Sequence, residues 1–215
     1  MMDLLNCQLL WKNLRIFKNK MPKPPYYTIE EMIELIDEPN RAACARILKD
    51  NRQLFQTVPG STNNHQAWAG GYFDHVQEIM NLAVVLYGQL NSIRPLPFSL
   101  SDLLLVTYLH DVEKPWKYEL TTTGELVHKA SMKTKQDHQQ FRLAKLAEYG
   151  IKFTPEQENG MKYAEGELDD YTNKHRVMSP LACVAHMCDV ASARLWFDYT
   201  LPEGDPWSGA KRHRD

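Results

Sequence analysis

The strongest constraint on the fold is a continuous apolar run that ends abruptly in two polar residues. The stretch from Leu103 to Leu109 carries no charged side chain, and His110 and Asp111 follow it directly. Ser99 or Ser101 can begin a helix here, because a serine hydroxyl accepts hydrogen bonds from the first free backbone amides. The pattern predicts a short helix that ends at the His-Asp doublet.

The doublet itself allows two interpretations. Adjacent helical residues point about 100° apart and seldom share a face, yet both can reach a metal ion at a helix end. Alternatively, His110 is a helix-terminal histidine favoured by the helix dipole, and Asp111 belongs to the following turn.

Two other segments supply further candidate ligands. Gly70 and Gly71 lead into a helical pattern that contains His75, and a long apolar helix pattern near the carboxyl end contains Asp189. A carboxylate on an apolar helix is costly to bury unless a cation or hydrogen bonds compensate it. Imidazole and carboxylate ligands suit Zn, Mn, Fe, Co or Ni.

The order of these residues resembles the HD-domain metal-dependent phosphohydrolase superfamily, whose pattern is a His, a His-Asp doublet and a distant Asp, all on helices. His75, the doublet and Asp189 match that pattern, and Lys114 matches a lysine that often follows the doublet. The resemblance spans roughly residues 60–200. It implies a divalent metal (Mn, Co, Ni, Zn or Fe, with Mg possible) held by His75, His110, Asp111 and Asp189.

The implied reaction is the hydrolysis of a phosphoester or phosphoanhydride by metal-activated water attacking phosphorus. The resemblance favours a small nucleotide, preferably a deoxynucleotide mono- or triphosphate, as the substrate. A catalytically silent nucleotide-binding regulatory or scaffolding module is the alternative. Retention of all four ligand positions favours an enzyme, because a silent module has no chemical need for them.

Several charged residues are candidates for catalysis or substrate binding. Lys114 is expected to bind a substrate phosphate and assist catalysis, unless it is an ordinary surface lysine. Arg194 is either a second phosphate ligand or a structural ion-pair partner. Glu165 is either a general acid/base or a solvent-facing residue, and His65 is expected to close over the substrate. Glu113 is predicted to be a solvated turn residue, with a general base as the alternative.

The expectation of a single metal comes from a departure from the family pattern. Members with two metals commonly carry an adjacent His-His pair near the position of Tyr163 and Ala164. His128 or His138 is the alternative source of ligands for a second ion. Trp116 and Tyr118 either stack on a base or pack against the core and hairpin, with packing as the default.

Composition limits the remaining possibilities. With 215 residues, of which 43% are hydrophobic, the chain can bury one sizeable core. The net charge of −2 argues against nucleic-acid or anionic-membrane partners. No stretch is apolar enough to cross a bilayer, and the amino terminus does not match a secretory signal. Four cysteines without close-spaced pairs are expected to be small, reduced core residues of a cytoplasmic protein.

The predicted architecture is an all-α, multi-helix bundle, HD-domain-like, with one minor β-hairpin at 117–120 and 125–128. Further helices are predicted from about Glu38 or Asn40 to Phe55, at 73–90, up to Gly150, and from Pro155 to about Glu165, and Thr28 begins a capping-box pattern. Residues 1–58 are expected to form an amino-terminal helical extension, 59–200 the hydrolase core and 201–215 a tail. The apolar amino-terminal segment is a candidate surface for homo-oligomer formation.

Overall fold

A computed structural model describes residues 23–61, 65–120, 126–132 and 134–195, together with positions 205 and 207. The amino-terminal apolar segment, Cys7 and most of the predicted tail lie outside the described residues. The described part contains seven α-helices, two 3-10 turns and two short strands. In chain order the helices are α1 Ile29–Ile33, α2 Asn40–Phe55, α3 Gly71–Ile93, α4 Leu100–Leu109, α5 Lys135–Glu148, α6 Pro155–Tyr163 and α7 Pro180–Arg194. The prediction of an all-α bundle with one minor hairpin is confirmed.

Side-chain caps fix where several of these helices begin. Thr28, Ser99, Thr134 and Thr154 each accept a hydrogen bond from the third helical residue in a reciprocal capping box. Such a cap stabilises a helix by about 1 kcal/mol. Of the two serines proposed for α4, Ser99 is the cap, whereas the Ser101 hydroxyl accepts a hydrogen bond from the Asp37 amide at 2.8 Å.

The centre of the bundle is α4, which packs against α3, α6 and α7. Every residue from Leu103 to Leu109 is buried. A helix surrounded by neighbours needs apolar residues on all sides, which accounts for a continuous apolar run instead of a one-sided stripe. The buried end of this helix therefore lies inside the bundle, where the doublet follows.

The first two helices share the core of the rest of the chain. Ile29, Met32 and Phe55 belong to the same buried hydrophobic cluster as Leu104 on α4 and Leu181 on α7. The described part of the amino-terminal extension is thus packed directly on the helices that carry the candidate ligands.

The hairpin follows the doublet closely. A 3-10 turn at Lys114–Lys117 leads into β1 (Tyr118–Leu120), which pairs antiparallel with β2 (Leu126–His128). Trp116, in the turn, packs against the rings of Phe55 and Phe141 at centroid distances of 5.8 and 5.6 Å. This agrees with packing, the default interpretation of Trp116, and it anchors the segment after the doublet to α2 and α5.

The cysteines are free among the described residues. Cys44 and Cys188 are buried, as expected for small core residues. The prediction of a core position is wrong for Cys183, which is exposed on the outer side of α7. No helix in the described ranges combines the length and the apolar character needed to cross a membrane.

Candidate metal centre

Three of the four predicted ligands converge at one point inside the bundle. One ligand atom from each of His75, His110 and Asp189 lies within 4.8 Å of the other two. The Asp189 Oδ1 atom is 3.3 Å from His75 Nε2 and 3.8 Å from His110 Nε2. Both histidines are buried, whereas 20% of the Asp189 side chain is exposed. The cluster is therefore open on the side of Asp189.

The glycine pair places His75 by allowing a close approach of two backbones. Gly70 precedes α3 with a φ of 81°, a left-handed conformation that favours glycine. A Cβ atom on Gly71 would lie 1.8 Å from the carbonyl oxygen of Gln66. The start of α3 thus packs directly on the preceding loop, and His75 follows in the second helical turn.

The tautomer of His110 is set by its own helix. Its Nδ1 lies 2.9 Å from the carbonyl oxygen of Thr107. A carbonyl only accepts hydrogen bonds, so Nδ1 carries the proton. The other nitrogen, Nε2, consequently faces the cluster. The His110 carbonyl in turn accepts a hydrogen bond from Arg142 on α5.

A buried side-chain network sets the tautomer of His75. The Ser192 hydroxyl donates to Glu78 at 2.8 Å, so it accepts from His75 Nδ1 at 3.2 Å. Gln66 donates to both Ser192 and Glu78, at 3.2 and 3.0 Å. All four residues are buried. As with His110, this leaves Nε2 directed at the cluster, an arrangement typical of metal-binding histidines.

Gln66, Glu78 and Ser192 are site residues that were not predicted from the sequence. Two signals in the sequence indicate Glu78 and Ser192. Glu78 lies three residues after His75, and Ser192 three residues after Asp189, so each shares a helix face with a candidate ligand. An acidic residue on the inner face of an apolar helix requires a buried partner.

Asp111 lies at the edge of the cluster. Its Oδ2 atom is 3.2 Å from His110 Nε2 and 3.7 Å from His75 Nε2, and it also forms an ion pair with Lys114. Burial alone would raise the pKa of this carboxyl, but Lys114 and His110 hold the pKa well below its ordinary value. Asp111 is therefore an ionised candidate for the fourth ligand.

The donor atoms of the cluster fit a cation. Neither His75 Nε2 nor His110 Nε2 has a hydrogen-bond partner among the described residues, although carboxylate oxygens lie close to both. Nitrogen lone pairs that face carboxylate oxygens require a proton or a metal ion between them. In the metal-free protein, burial lowers the pKa of His110, but Asp111 and Asp189 outweigh this and raise it to about 10.

Lys114 and His65 both lie beside the ligand cluster. Burial lowers the pKa of Lys114, but Asp111 outweighs this and, with Asp189 and Glu165, raises it to about 12. The His65 ring centroid is 5.0 Å from that of His75. Burial, with the charges of His75 and Lys114, lowers the pKa of His65 to about 4. Lys114 thus supplies a permanent cation, and His65 a neutral imidazole.

The prediction for Glu113 as a solvated turn residue is wrong. Its side chain is buried, and its carboxylate oxygens lie 3.9 Å from Lys117 Nζ and 3.8 Å from Arg142 Nη1. Burial and the neighbouring Asp111 raise the pKa of Glu113. The 3-10 turn after the doublet packs Glu113 against α5. No local sequence signal indicates this contact.

The remaining candidates do not belong to the ligand cluster. Arg194 is exposed in the last turn of α7 and forms no hydrogen bond or ion pair with the residues that the structure describes. Glu165 is exposed after α6, yet its charge contributes to the raised pKa of Lys114. His138 Nε2 lies 2.9 Å from the Met132 carbonyl oxygen, and the His128 ring packs on Tyr118.

As a whole, the site is a buried nitrogen and oxygen ligand set with one open side and a lysine beside it. Such a set can hold a divalent transition metal and leave positions for water and an anionic ligand. In comparisons with known proteins, no family model, no curated protein and no solved structure matches the chain.

Proposed function

We propose that this protein is a divalent-metal-dependent phosphohydrolase of the HD-domain type that acts on a small nucleotide. One observation carries the proposal. Two buried imidazole Nε2 atoms without hydrogen-bond partners among the described residues face carboxylate oxygens of Asp189 and Asp111. The resemblance in the order of His75, the doublet and Asp189 supports the same reaction class.

Each residue of the centre has a distinct part in this proposal. His75, His110 and Asp189 would hold the metal, and Asp111 would complete the set while orienting Lys114. When bound, a divalent cation supplies Lewis acidity, which makes a water more acidic and offsets the charge that develops on a phosphate during hydrolysis.

Lys114 is the proposed phosphate-binding residue. It is 18% exposed, its ammonium group lies against Asp111, and it is positioned by the 3-10 turn after the doublet. A phosphate that enters beside Asp189 would meet this positive charge. His65, packed on His75, would cover the substrate with a neutral ring, whose Nε2 has no hydrogen-bond partner in the described part of the chain.

A small-molecule substrate agrees with the electrostatics of the chain. The net charge is −2, so the protein lacks the strong positive charge that holds nucleic-acid backbones. The deoxynucleotide preference is taken from the resemblance. Arg194 is not assigned to the phosphate, because it is exposed at the end of α7 and forms no hydrogen bond or ion pair within the described part of the chain.

The test is a phosphate-release screen on the full chain loaded with Mn, Co, Ni, Zn or Mg. Deoxynucleoside mono- and triphosphates are the substrates, and chromatography separates phosphate, pyrophosphate and triphosphate as products. Lys114→Met is expected to lower kcat/KM by about 100-fold, the scale of a lost charge at a developing anion. Lys174→Met, at an exposed position, is the matched control.

Bound metal without turnover of any nucleotide would contradict the proposal and favour the silent nucleotide-binding module. Equal activity of folded Lys114→Met and of the control variant would remove Lys114 from the phosphate site. Circular dichroism shows whether each variant is folded.

A further inference from the structure

A pocket of about 280 Å³ is lined in part by Glu113, which follows the His-Asp doublet by two residues. Its walls come from the end of the doublet turn, from α5, and from the segment that joins α6 to the second 3-10 turn, Leu168–Asp170. The residues that matter for its chemistry are Glu113, Arg142, Lys162, Glu165, Glu167 and Asp169. The proposed function does not use this pocket.

One sequence neighbour and two contacts connect the pocket to the centre. Glu113 follows the ligand pair by two residues, and Arg142 donates a hydrogen bond to the His110 carbonyl. Gly166, in the pocket wall, packs on the ring of His186, so that an added Cβ would lie 3.3 Å from Cε1. His186 precedes Asp189 by one turn of α7. The pocket and the centre therefore share a wall.

The pocket is strongly acidic. Five carboxylate side chains line it, compared with two permanently charged cations. Lys162 is paired with Asp170 at 2.8 Å, and Arg142 donates a hydrogen bond to the His110 carbonyl. Both cations are thus already occupied by groups of the protein.

Some of the carboxylates of the pocket accept hydrogen bonds from the protein itself, but others do not. Glu167 accepts hydrogen bonds from the amides of Val177 and Met178 at 3.3 and 3.2 Å. Glu165 and Asp169 are exposed and form no hydrogen bond or ion pair within the described ranges. Together with Glu113, they give the pocket three carboxylates that can accept hydrogen bonds from a ligand.

Glu113 provides the independent indication that a ligand binds here. Only 3% of the residue is exposed, and its Oε2 atom has no hydrogen-bond partner among the described residues. The Arg142 nitrogen, at 3.8 Å, is too distant to donate one. A buried acceptor without a donor is unfavourable, and a donor from a ligand in the pocket would satisfy it.

We infer that this pocket binds the leaving group of the substrate and selects a group rich in hydroxyl or amino hydrogen-bond donors over a second phosphate. The inference rests on the proposed phosphohydrolase function. With the scissile phosphate at the metal and Lys114, the rest of the molecule would extend along the shared wall towards Glu113. Further phosphates placed there would meet Glu165 and Asp169, which repel them. The substrate class is therefore a phosphomonoester.

The size of the pocket agrees with this class. Its volume of about 280 Å³ lies just below the usual range for small-molecule sites, which starts at roughly 300 Å³. A sugar or a single base fits such a space, whereas the three phosphates of a triphosphate, with their counterions, need more room and a cationic lining.

The experiment compares dAMP, dATP and p-nitrophenyl phosphate as substrates of the manganese-loaded full chain. We expect kcat/KM for dAMP to exceed the values for dATP and for p-nitrophenyl phosphate, whose leaving group lacks hydroxyl and amino donors. The double variant Glu165→Lys/Asp169→Lys should shift the ratio of dATP to dAMP turnover about tenfold towards dATP, since both replacements reverse charge at exposed positions. Glu158→Lys, exposed on α6 outside the pocket, should leave that ratio unchanged.

The inference would be overturned if the natural chain hydrolyses dATP in preference to dAMP and the double variant leaves the ratio of dATP to dAMP turnover unchanged. The proposed phosphohydrolase function would remain intact in that case. Absence of turnover for all three substrates would instead contradict the proposed function. In that case calorimetric titration of the metal-loaded chain decides the pocket's preference: tighter binding of dAMP than of dATP supports the inference, and the reverse order overturns it.

Discussion

The two histidines of the candidate metal centre both direct Nε2 at the cluster, but different contacts hold them in this orientation. His110 is oriented by a backbone carbonyl three residues earlier in its own helix, that of Thr107. His75 is oriented by Ser192, which lies 117 residues away, and this serine is itself held by Glu78 and Gln66. One ligand is preorganised by local helix geometry, and the other by tertiary packing.

This difference determines how each ligand responds to change. A backbone carbonyl remains whatever side chain its residue carries, so the His110 side of the centre should tolerate substitution around it. The His75 side requires α3, α7 and the loop before α3 to be in place together. We therefore expect substitutions around His75 to reduce stability and metal affinity more than substitutions around His110.

The largest effect is expected from Gly71→Ala, which removes the close approach between the start of α3 and the preceding loop. The new Cβ would lie 1.8 Å from the Gln66 carbonyl oxygen, so the backbone must move. We expect a loss of about 3 kcal/mol in the free energy of unfolding, measured by urea denaturation, together with weakened metal binding.

Gly88→Ala is the matched control for this substitution. It lies in the same helix, and a Cβ there meets no atom within 4 Å. It should stabilise the protein by about 0.5–1 kcal/mol, because alanine loses less conformational entropy than glycine in a helix. Equal destabilisation by both variants would contradict the proposed close approach of the two backbones at Gly71.

A smaller effect is expected from Ser192→Ala, which removes the acceptor of His75 Nδ1 while leaving every proposed ligand in place. The dissociation constant for the metal should rise by about 10- to 100-fold, the usual range for loss of a group that orients a metal-binding histidine. Isothermal titration calorimetry with Mn or Zn measures it. An unchanged dissociation constant in a folded variant would show that the buried network does not act on the ligand.

The smallest effect is expected from Thr107→Val on the other side of the centre. This substitution removes a hydroxyl that bonds to the Leu103 carbonyl but keeps the Thr107 carbonyl that orients His110. Metal affinity, measured by the same titration, should not change. A loss of metal affinity as large as that expected for Ser192→Ala would contradict the proposed difference between the His110 side and the His75 side.

The sequence predicted the parts of this molecule that depend on local rules. The cap at Thr28, the long helix around His75 and the hairpin after the doublet all follow from neighbouring residues, whereas the sequence left the cap of α4 open between Ser99 and Ser101. The convergence of His75, His110 and Asp189 was anticipated through the resemblance in their order, since nothing local shows that three distant helices meet.

The remaining features arise from tertiary packing. Gln66 joins the buried network only because its loop folds against both α3 and α7. Glu113 is buried because the turn after the doublet is pressed against α5, although turn residues are usually solvated. Cys183 lies in an apolar helix pattern but on its outer side. In each case the deciding neighbour is remote in sequence.

The most direct test of the account is the molar ratio of metal to protein after equilibrium dialysis, measured by inductively coupled plasma mass spectrometry. We expect one equivalent of a divalent transition metal for the natural chain, and its loss in His75→Ala, His110→Ala and Asp189→Asn variants that retain their helical circular dichroism. Full metal content in any of these folded variants, or none in the natural chain, would contradict a centre built from these three residues.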